Sequence, residues 1–576
     1  MTGRGKLAAM TAAALVLASC GMSDMGSTAL SVLPSGITHV SLGAASNAAG
    51  ASTQNALQTA TPIKHLVVIF GENQSFDHYF GTYPQASNPP GEPIFSAAAN
   101  TPRPNAYLTH PELLTSNPNT TNAANLATGI SPTLMNPFRI DRAQYDTASQ
   151  NHSYTPEQKA SSNGRMDAFV ANTGKASSGG AGAFGTAAQV MGYFDGNTVT
   201  ALWNLAQRFA MSDNAFTDSF GPSTPGAINV IAGTTAGATS GNGTIADGHG
   251  GYTVTGDGDP TGDVCSSATG TFRMAGKNIG DLLNAAGITW GGFMGGFDLT
   301  ATNANNTTAC KRSVVSPNTG RTVTDYIPHH AWFQYYASTL NPKHTRPSST
   351  SMIGHTEPAL DAVGSATPVH HQYDYNDFVT AVKAGNFPSV SYLKAQAYQD
   401  AHPSNSNPLD EQAFVANVLN FLQQQPDWQN TAVIVVYDDS DGWYDHQSPT
   451  ILTSSFDKTA DQYTAAGQCT GPNAIQGTGI DGAAVNGRCG PGTRTPFLLI
   501  SPYAKQNYID STPITQSSVI RFIEDNWLGG QRIGGGSNDA LAGSIMSMFD
   551  FTASPNLTPL YLNPTTGRKL SAAPTT

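Results

Sequence analysis

The stretch "HLVVIFGENQSFDHYFG", residues 65–81, runs from an apolar strand directly into polar side chains. Its apolar run, residues 66–70, is typical of a strand in a protein core. Gly71 alone would meet the needs of a turn, yet Glu72 and Asn73 follow it at once. The pattern predicts a buried strand that delivers a carboxylate and a carboxamide to its carboxyl end.

The same pattern recurs in "TAVIVVYDDSDGWYDH", residues 431–446, where an apolar strand ends in two aspartates. The carboxyl ends of parallel strands meet along one edge of a sheet, and loops there form binding sites. Adjacent carboxylates repel one another unless a cation compensates, and oxygen donors suit a hard divalent metal. The alternative is that these residues only cap following helices. The metal ligands predicted by the two strand ends are Glu72, Asn73, Asp438 and Asp439.

Composition and patterning favour one class of fold. The 576 residues allow one large elaborated domain or two domains, and 59 glycines with 36 prolines indicate many loops. Apolar strands alternate with helical patterns from Pro62 onward, which predicts an α/β fold with a mostly parallel sheet. We expect no regular element in the glycine-rich residues 237–262. A formal net charge of −12 argues against a nucleic-acid partner.

Residues 1–20 have the features of an export signal, because two basic residues precede a short apolar run. That run ends in Leu-Ala-Ser-Cys and is similar to a bacterial lipoprotein signal, which predicts a lipid on Cys20 and membrane contact through it. An ordinary secretory peptide is the alternative. We expect a periplasmic or outer-membrane-anchored lipoprotein, or a secreted protein, with residues 21–61 as a flexible linker.

Four cysteines follow Cys20, and none has a nearby partner at the spacing of a metal site. An even number in an oxidising compartment predicts two disulfides. Proximity along the chain favours Cys265–Cys310 and Cys469–Cys489.

Ser223 is the candidate reactive group, in "GPSTPGAINVIAG", residues 221–233. It precedes Pro225, a favoured first residue of a helix, and a helix start attracts anions such as phosphate. A serine at this position is usually only a cap, and it becomes a nucleophile where a metal or base lowers its hydroxyl pKa. Histidines in polar, irregular settings could bind phosphoryl oxygens and protonate a leaving group. The histidines in such settings are His152, His370, His371 and His402.

These segments resemble a known family when taken together and in order. With "NHSYTPEQ" (151–158), "YLKAQAYQDAHPS" (392–404) and "TPFLLIS" (495–501), they are similar to the bacterial phosphoesterases. That family includes phosphatidylcholine-type phospholipases C and acid phosphatases, and this chain is more similar to the acid phosphatase branch. Gln74 stands where phospholipase members have arginine, and Gly226-Ala227 replaces an Asn-Arg pair.

The resemblance implies an alkaline phosphatase/sulfatase-like α/β core, with a mostly parallel central sheet flanked by helices and with long loop insertions. It implies that residues 62–576 are the catalytic domain and that Ser223 is both nucleophile and metal ligand. His152, His371 and His402 would line the phosphate pocket. His370, as the alternate for His371, and Asn73 would contact substrate.

The function implied is a metal-dependent acid phosphatase that hydrolyses phosphate monoesters through a phosphoserine. The alternatives are a phospholipase C that cleaves phosphodiesters of phosphatidylcholine-type lipids, and a non-catalytic surface lipoprotein. The substrate would be a small phosphoester or a phospholipid head group. One divalent ion is expected, and all-oxygen ligation favours calcium, magnesium or manganese over zinc.

Overall fold

The computed structural model describes residues 51–574, and an eight-stranded sheet lies at its centre. In chain order the strands of this sheet are β1 (His65–Gly71), β2 (Ala210–Ser212), β3 (Trp290–Met294), β4 (Gln372–Asp374), β5 (Val390–Lys394), β6 (Thr431–Tyr437), β7 (Phe497–Ile500) and β8 (Tyr508–Asp510). Their order across the sheet is β4-β3-β5-β1-β6-β7-β2-β8. Only β7 runs antiparallel to its neighbours β6 and β2, and the other neighbouring pairs are parallel. The prediction of a mostly parallel sheet is confirmed.

Helices accompany this sheet, as expected for an α/β protein. Those of eight residues or more in the described chain are α1 (Tyr154–Ser161), α2 (Thr200–Arg208), α3 (Ser223–Ala232), α4 (Ile279–Ala286), α5 (Tyr375–Lys383), α6 (Pro408–Leu422) and α7 (Ser517–Trp527). α3 is buried along its whole length and packs against α7. An apolar helix that is covered on all sides is held rigidly, and α3 carries Ser223 at its first position.

β1 and β6 pair side by side through all seven residues, from His65 opposite Thr431 to Gly71 opposite Tyr437. Every residue of both strands is buried. Burial on both faces explains why the two sequences are continuous apolar runs rather than alternating ones. Because both strands end at the same level, the residues that follow them emerge beside each other.

The sequence pattern does not reveal β3, because "WGGFM" contains two glycines. A Cβ atom on Gly291 would lie 2.6 Å from the ring of Phe293, and one on Gly292 would lie 2.8 Å from the amide of Gln372. The strand therefore needs glycine to admit the large side chains beside it. Glycine inside a strand weakens the local signal by which strands are predicted.

The expectation that residues 237–262 hold no regular element is wrong. Three short strands, Ala236–Ala238, Thr244–Ala246 and Tyr252–Val254, form an antiparallel sheet there. The glycines lie largely in the turns and bulges between these strands, where positive φ angles are required.

Both predicted disulfides, Cys265–Cys310 and Cys469–Cys489, are present and close loops of the chain. The predicted export signal, with Cys20, and residues 21–50 of the predicted linker lie outside the described residues. The folded part begins before the predicted boundary at residue 62, because the backbone N–H of Ser52 donates to Asp427 at 2.9 Å. Among residues 51–574, no helix combines the length and the apolar character needed to cross a bilayer.

Gly226 provides a test of how closely α3 approaches the sheet. A Cβ atom at this position would lie 2.3 Å from the carbonyl oxygen of Asp438, so the helix would have to move away. We expect Gly226→Ala to lower the free energy of unfolding by about 1–3 kcal/mol, the usual cost of overpacking. Chemical denaturation measures this change. A gain in stability, which Gly→Ala gives in an unstrained helix, would contradict the close approach.

Candidate active site

The loops after β1 and β6 are joined to each other by hydrogen bonds that backbone N–H groups of the first loop donate to the second. The N–H of Asn73 donates to Oδ1 of Asp438 at 2.8 Å, and the N–H of Gln74 donates to the carbonyl oxygen of Asp439 at 2.9 Å. Asn73 has a left-handed backbone with φ of 63°, a conformation that asparagine tolerates better than most residues. The predicted meeting of the two strand ends is confirmed. The residues it brings together, all buried, are Glu72, Asn73, Asp438 and Asp439.

Ser223 joins this group from the start of α3. Its Oγ donates to Oε2 of Glu72 at 3.0 Å, and Oδ2 of Asp439 is a second acceptor at 3.3 Å. The N-cap position belongs to Pro222, so the Ser223 side chain is not a helix cap and instead points at carboxylates. The preceding Gly221 has φ of 121°, which only glycine adopts without strain. The tight turn at Gly221 thereby directs Ser223 towards the strand ends.

The donor atoms fit an oxygen-ligated cation. Oδ1 of Asn73 and Oδ2 of Asp438 are buried and have no hydrogen-bond partner among residues 51–574. Unpaired buried acceptors cost free energy, and a cation would remove that cost. Burial, together with the charge of Asp438, raises the pKa of Glu72 and of Asp439 well above the usual values. A divalent ion would favour the ionised form of both carboxylates.

The other side of Glu72 already has a positive partner. Nζ of Lys394, at the carboxyl end of β5, contacts Oε1 of Glu72, and both side chains are buried. Burial opposes the charge of Lys394, but Glu72 and other carboxylates raise its pKa above the usual value. The lysine is therefore a built-in cation of the site.

A metal could also fit, by distance alone, among Glu72, His330 and Asp400. Nδ1 of His330 lies 3.2 Å from Oε1 of Glu72, without the alignment of a hydrogen bond. Burial lowers the pKa of His330 well below the usual value, with the neighbouring His329 and Lys394 acting in the same direction. Because Lys394 occupies this side, the Oε2 side of Glu72 is the better cation site.

His152 and His402 border the group, as predicted. Nδ1 of His152 lies 3.1 Å from Oδ1 of Asp441, and its Nε2 lies 3.5 Å from Nδ2 of Asn73. Burial opposes protonation of His152, but Asp439 and Asp441 raise its pKa well above the usual value. The ring of His402 lies 6.1 Å from that of His152, centre to centre. Nδ1 of His402 donates to the carbonyl oxygen of Pro403 at 2.6 Å. The neutral His402 ring therefore carries its proton on Nδ1 and leaves Nε2 unprotonated.

The structure does not bring His370 and His371 to this group, and their predicted placement is wrong. His371 directly precedes β4, so it lies at the amino end of the sheet, whereas the site lies at the carboxyl ends. Its Nδ1 bonds the carbonyl oxygen of Trp290 at 3.0 Å, and burial lowers its pKa to about 4. Nδ1 of His370 bonds the carbonyl oxygen of Leu340 at 2.8 Å.

A different histidine pair, His329-His330, occupies the place expected for them. The ring of His329 lies 4.4 Å from that of His330, and its Nδ1 lies 3.6 Å from Oδ1 of Asp259. Burial opposes protonation of His329, but Asp259 and Asp257 raise its pKa. His329-His330 has mainly apolar neighbours, in "YIPHHAWF" (326–333), so a search for histidines in polar settings does not find it.

Glu157 of α1 is a further residue that the sequence did not single out. Its Oε2 accepts from the N–H of Gly221 at 2.9 Å, and its Oε1 accepts from the hydroxyl of Ser440 at 2.8 Å. Burial raises its pKa to about 7. One buried carboxyl group thus joins the turn before Ser223 to the loop after β6.

Two other acidic clusters are explained by contacts within the protein. Arg494 donates to both Asp77 and Asp445, so this group is a buried ion-pair network. The second group contains Cys265, whose sulfur is part of a disulfide and is not free to bind a metal.

The fold and the site together define the class of protein. It is an α/β protein in which a buried serine lies among carboxylates at the carboxyl ends of strands. The profile of the Phosphoesterase family matches residues 63–528. The chain therefore belongs to the Phosphoesterase family, as its sequence motifs suggested.

Curated relatives of this chain carry phospholipase names. It is 25% identical over 520 residues to "Non-hemolytic phospholipase C" of Pseudomonas aeruginosa, covering 88% of this chain and 60% of that protein. It is 30% identical over 186 residues to "Phospholipase C A" of Mycobacterium tuberculosis, covering 32% of this chain and 33% of that protein. The chain thus spans less than two thirds of the length of these relatives.

Among solved structures, murine ectonucleotide pyrophosphatase/phosphodiesterase 5 is similar over 61% of this chain and 95% of its own. The identity is 9% and the TM-score is 0.30. Similarity at this level carries no information about function.

Lys394→Met tests whether the lysine competes with a bound cation. Removal of its charge makes the surroundings of Glu72 more negative, so we expect divalent-ion affinity to rise by about tenfold or more. In the absence of metal, the free energy of unfolding of the variant should be lower by about 3 kcal/mol, because the buried Glu72 carboxylate loses its positive partner. Titration calorimetry and thermal unfolding measure the two effects.

The control is Lys505→Met, because the Lys505 ammonium lies 4.5 Å from the centre of the Tyr508 ring. Weaker metal binding would mean that Lys394 instead orients Glu72 for the ion.

Proposed function

We propose that this chain is an exported, metal-dependent phosphatase that hydrolyses phosphate monoesters through a phosphoserine intermediate. The observation that carries the proposal is the Ser223 hydroxyl, which donates to Glu72 at 3.0 Å in a buried group of oxygen donors. Membership of the Phosphoesterase family supports hydrolysis of phosphoric esters. An alkaline phosphatase/sulfatase-like core is part of the proposal, supported by a site at the carboxyl ends of β1 and β6.

Each group at the site has a role in this proposal. Glu72, Asn73, Asp438, Asp439 and Ser223 would hold one divalent cation, with calcium, magnesium or manganese favoured by the oxygen donors. When bound, such an ion lowers the pKa of the serine hydroxyl. The fixed position of α3 keeps Oγ of Ser223 aimed at the place where phosphorus would lie.

Two displacements at phosphorus complete the reaction. In the first, the Ser223 hydroxyl passes its proton to Glu72, its hydrogen-bond acceptor, and Oγ forms a bond to phosphorus, while the bond from phosphorus to the alcohol oxygen breaks and that oxygen takes a proton from a histidine. In the second, water attacks the phosphoserine, releases inorganic phosphate and restores the serine hydroxyl.

Histidines neutralise charge and move protons in both displacements. His152, whose pKa is raised by Asp439 and Asp441 against the effect of burial, carries positive charge towards the phosphoryl oxygens. His329, whose pKa is raised by Asp259 and Asp257 against the effect of burial, can donate a proton to the departing alcohol, and His402 borders the same space. Protonated histidines are consistent with an acidic working range.

A phospholipase C that cleaves phosphodiesters is the second candidate, supported by the names of the curated relatives. The chemistry at Ser223 would be the same, and only the groups on either side of phosphorus would differ. Export is supported by the two disulfides, which persist in oxidising compartments. A lipid on Cys20 would hold the enzyme at a membrane, near phospholipid or small phosphoesters.

Ser223→Ala tests the nucleophile. Without Oγ no phosphoserine can form, so we expect hydrolysis of p-nitrophenyl phosphate to fall by about 10⁴-fold or more. The side chain is small and its loss should leave the thermal unfolding profile close to that of the parent. Trapping of ³²P-labelled phosphoserine after acid quench should succeed in the parent and fail in the variant. Activity within tenfold of the parent would remove Ser223 from the mechanism.

A comparison of substrates separates the two candidate reactions. The phosphatase proposal predicts a kcat/KM for p-nitrophenyl phosphate at least about tenfold above that for bis-p-nitrophenyl phosphate or a phosphatidylcholine analogue. Steady-state rates at saturating divalent ion, on vesicles for the lipid, give this ratio. The reverse preference would favour the phospholipase candidate.

A further inference from the structure

Asp257 contacts the start of the nucleophile helix from outside the group described above. Its Oδ1 accepts a hydrogen bond from the N–H of Thr224 at 3.0 Å and another from the Thr224 hydroxyl at 3.0 Å. Thr224 directly follows Ser223, and Asp257 lies in "TGDGDP", at the end of the glycine-rich segment. The Asp257 residue is exposed, unlike the buried ligands around Glu72.

Few backbone N–H donors lie next to Ser223 at the start of α3, and the N–H of Thr224 is one of them. The first N–H groups of an α-helix have no partner within the helix and attract anions. In α3 the residue after Thr224 is Pro225, which has no N–H. A carboxylate therefore occupies one of the few backbone donors next to the Ser223 oxygen.

Asp257 also faces the open side of the site. The side chains of His152 and His329 are 15% and 31% exposed, whereas those of Glu72 and His330 are almost fully buried. The site is therefore more open on the side of His152 and His329. The Thr224 hydroxyl that donates to Asp257 also lies 3.2 Å from the carbonyl oxygen of His329, so Asp257 and His329 lie on the same side of the start of α3. The negative charge of Asp257 is thus near the more open side of the site.

We propose that Asp257 determines substrate specificity by its charge at the entrance. It disfavours phosphoesters whose alcohol carries a further negative charge and favours those whose alcohol is neutral or cationic. The inference rests on the proposed function, because it concerns the alcohol side of the same substrate. Asp259 is the neighbouring acid, but it faces His329 rather than the start of α3.

Asp257→Asn isolates the charge from the hydrogen bonds. The amide oxygen of asparagine can still accept from the N–H and hydroxyl of Thr224, so the start of α3 keeps its partner. Asp257→Ala removes both the charge and the hydrogen bonds. The matched control is Asp550→Asn, since Oδ1 of Asp550 accepts from the N–H and the hydroxyl of Thr552 in the same way, in the C-terminal segment.

The measurement is kcat/KM for phosphocholine and for 3-phosphoglycerate, whose alcohol parts carry a positive and a negative charge. In Asp257→Asn we expect about a fivefold loss for the first and a fivefold gain for the second, typical of an exposed charge pair. Low salt should enlarge both effects. Calorimetry should also show about fivefold tighter binding of inorganic phosphate, a readout that needs no turnover.

An unchanged ratio of the two substrates in Asp257→Asn, with unchanged phosphate binding, would overturn the inference. A change confined to Asp257→Ala, in kcat and stability alone, would mean that Asp257 only caps α3. If the parent bound phosphate but hydrolysed no ester, the proposed function would fail, and the calorimetric result would still decide the role of Asp257. An equal shift in Asp550→Asn would assign the effect to overall charge.

Discussion

Seven consecutive residues of β1 pair with seven of β6, and the chemistry of the site depends on that register. Both strands are buried on both faces, so a slip by even one position would misplace every side chain. The final pair, Gly71 and Tyr437, also needs glycine, because a Cβ atom on Gly71 would lie 2.6 Å from the tyrosine ring. The hydrophobic core thereby decides where Glu72 and Asp438 emerge.

This arrangement concentrates negative charge at a buried site, which is energetically unfavourable without compensation. Lys394 offsets part of that charge on one side of Glu72, and His152 offsets part of it near Asp439. Oδ1 of Asn73 and Oδ2 of Asp438 have no hydrogen-bond partner within residues 51–574. A cation could therefore bind to these oxygens, and the charges of Lys394 and His152 would limit where it could lie.

The sequence revealed those parts of the site that follow local rules. An apolar run that ends in carboxylates is visible without a structure, and so is a serine near the start of a helix, although α3 begins at Ser223 itself rather than at Pro225. His329 and Lys394 were missed because their roles arise only when distant segments meet. His371 was misplaced because a polar setting does not reveal at which end of a strand a histidine lies, and only the direction of β4 does. β3 was missed because its two glycines, which leave room for neighbouring side chains, interrupt the apolar pattern by which strands are predicted.

The segments that form the site are far apart along the chain, with Glu72 near its beginning and Asp439 some way past its middle. A ribosome or a translocation channel releases Glu72 long before Asp439, and β6 cannot pair with β1 until residue 437 has emerged. Every fragment that ends before residue 438 lacks two of the five oxygen donors, Asp438 and Asp439. The complete group of donors can therefore assemble only after about three quarters of the chain has been synthesised.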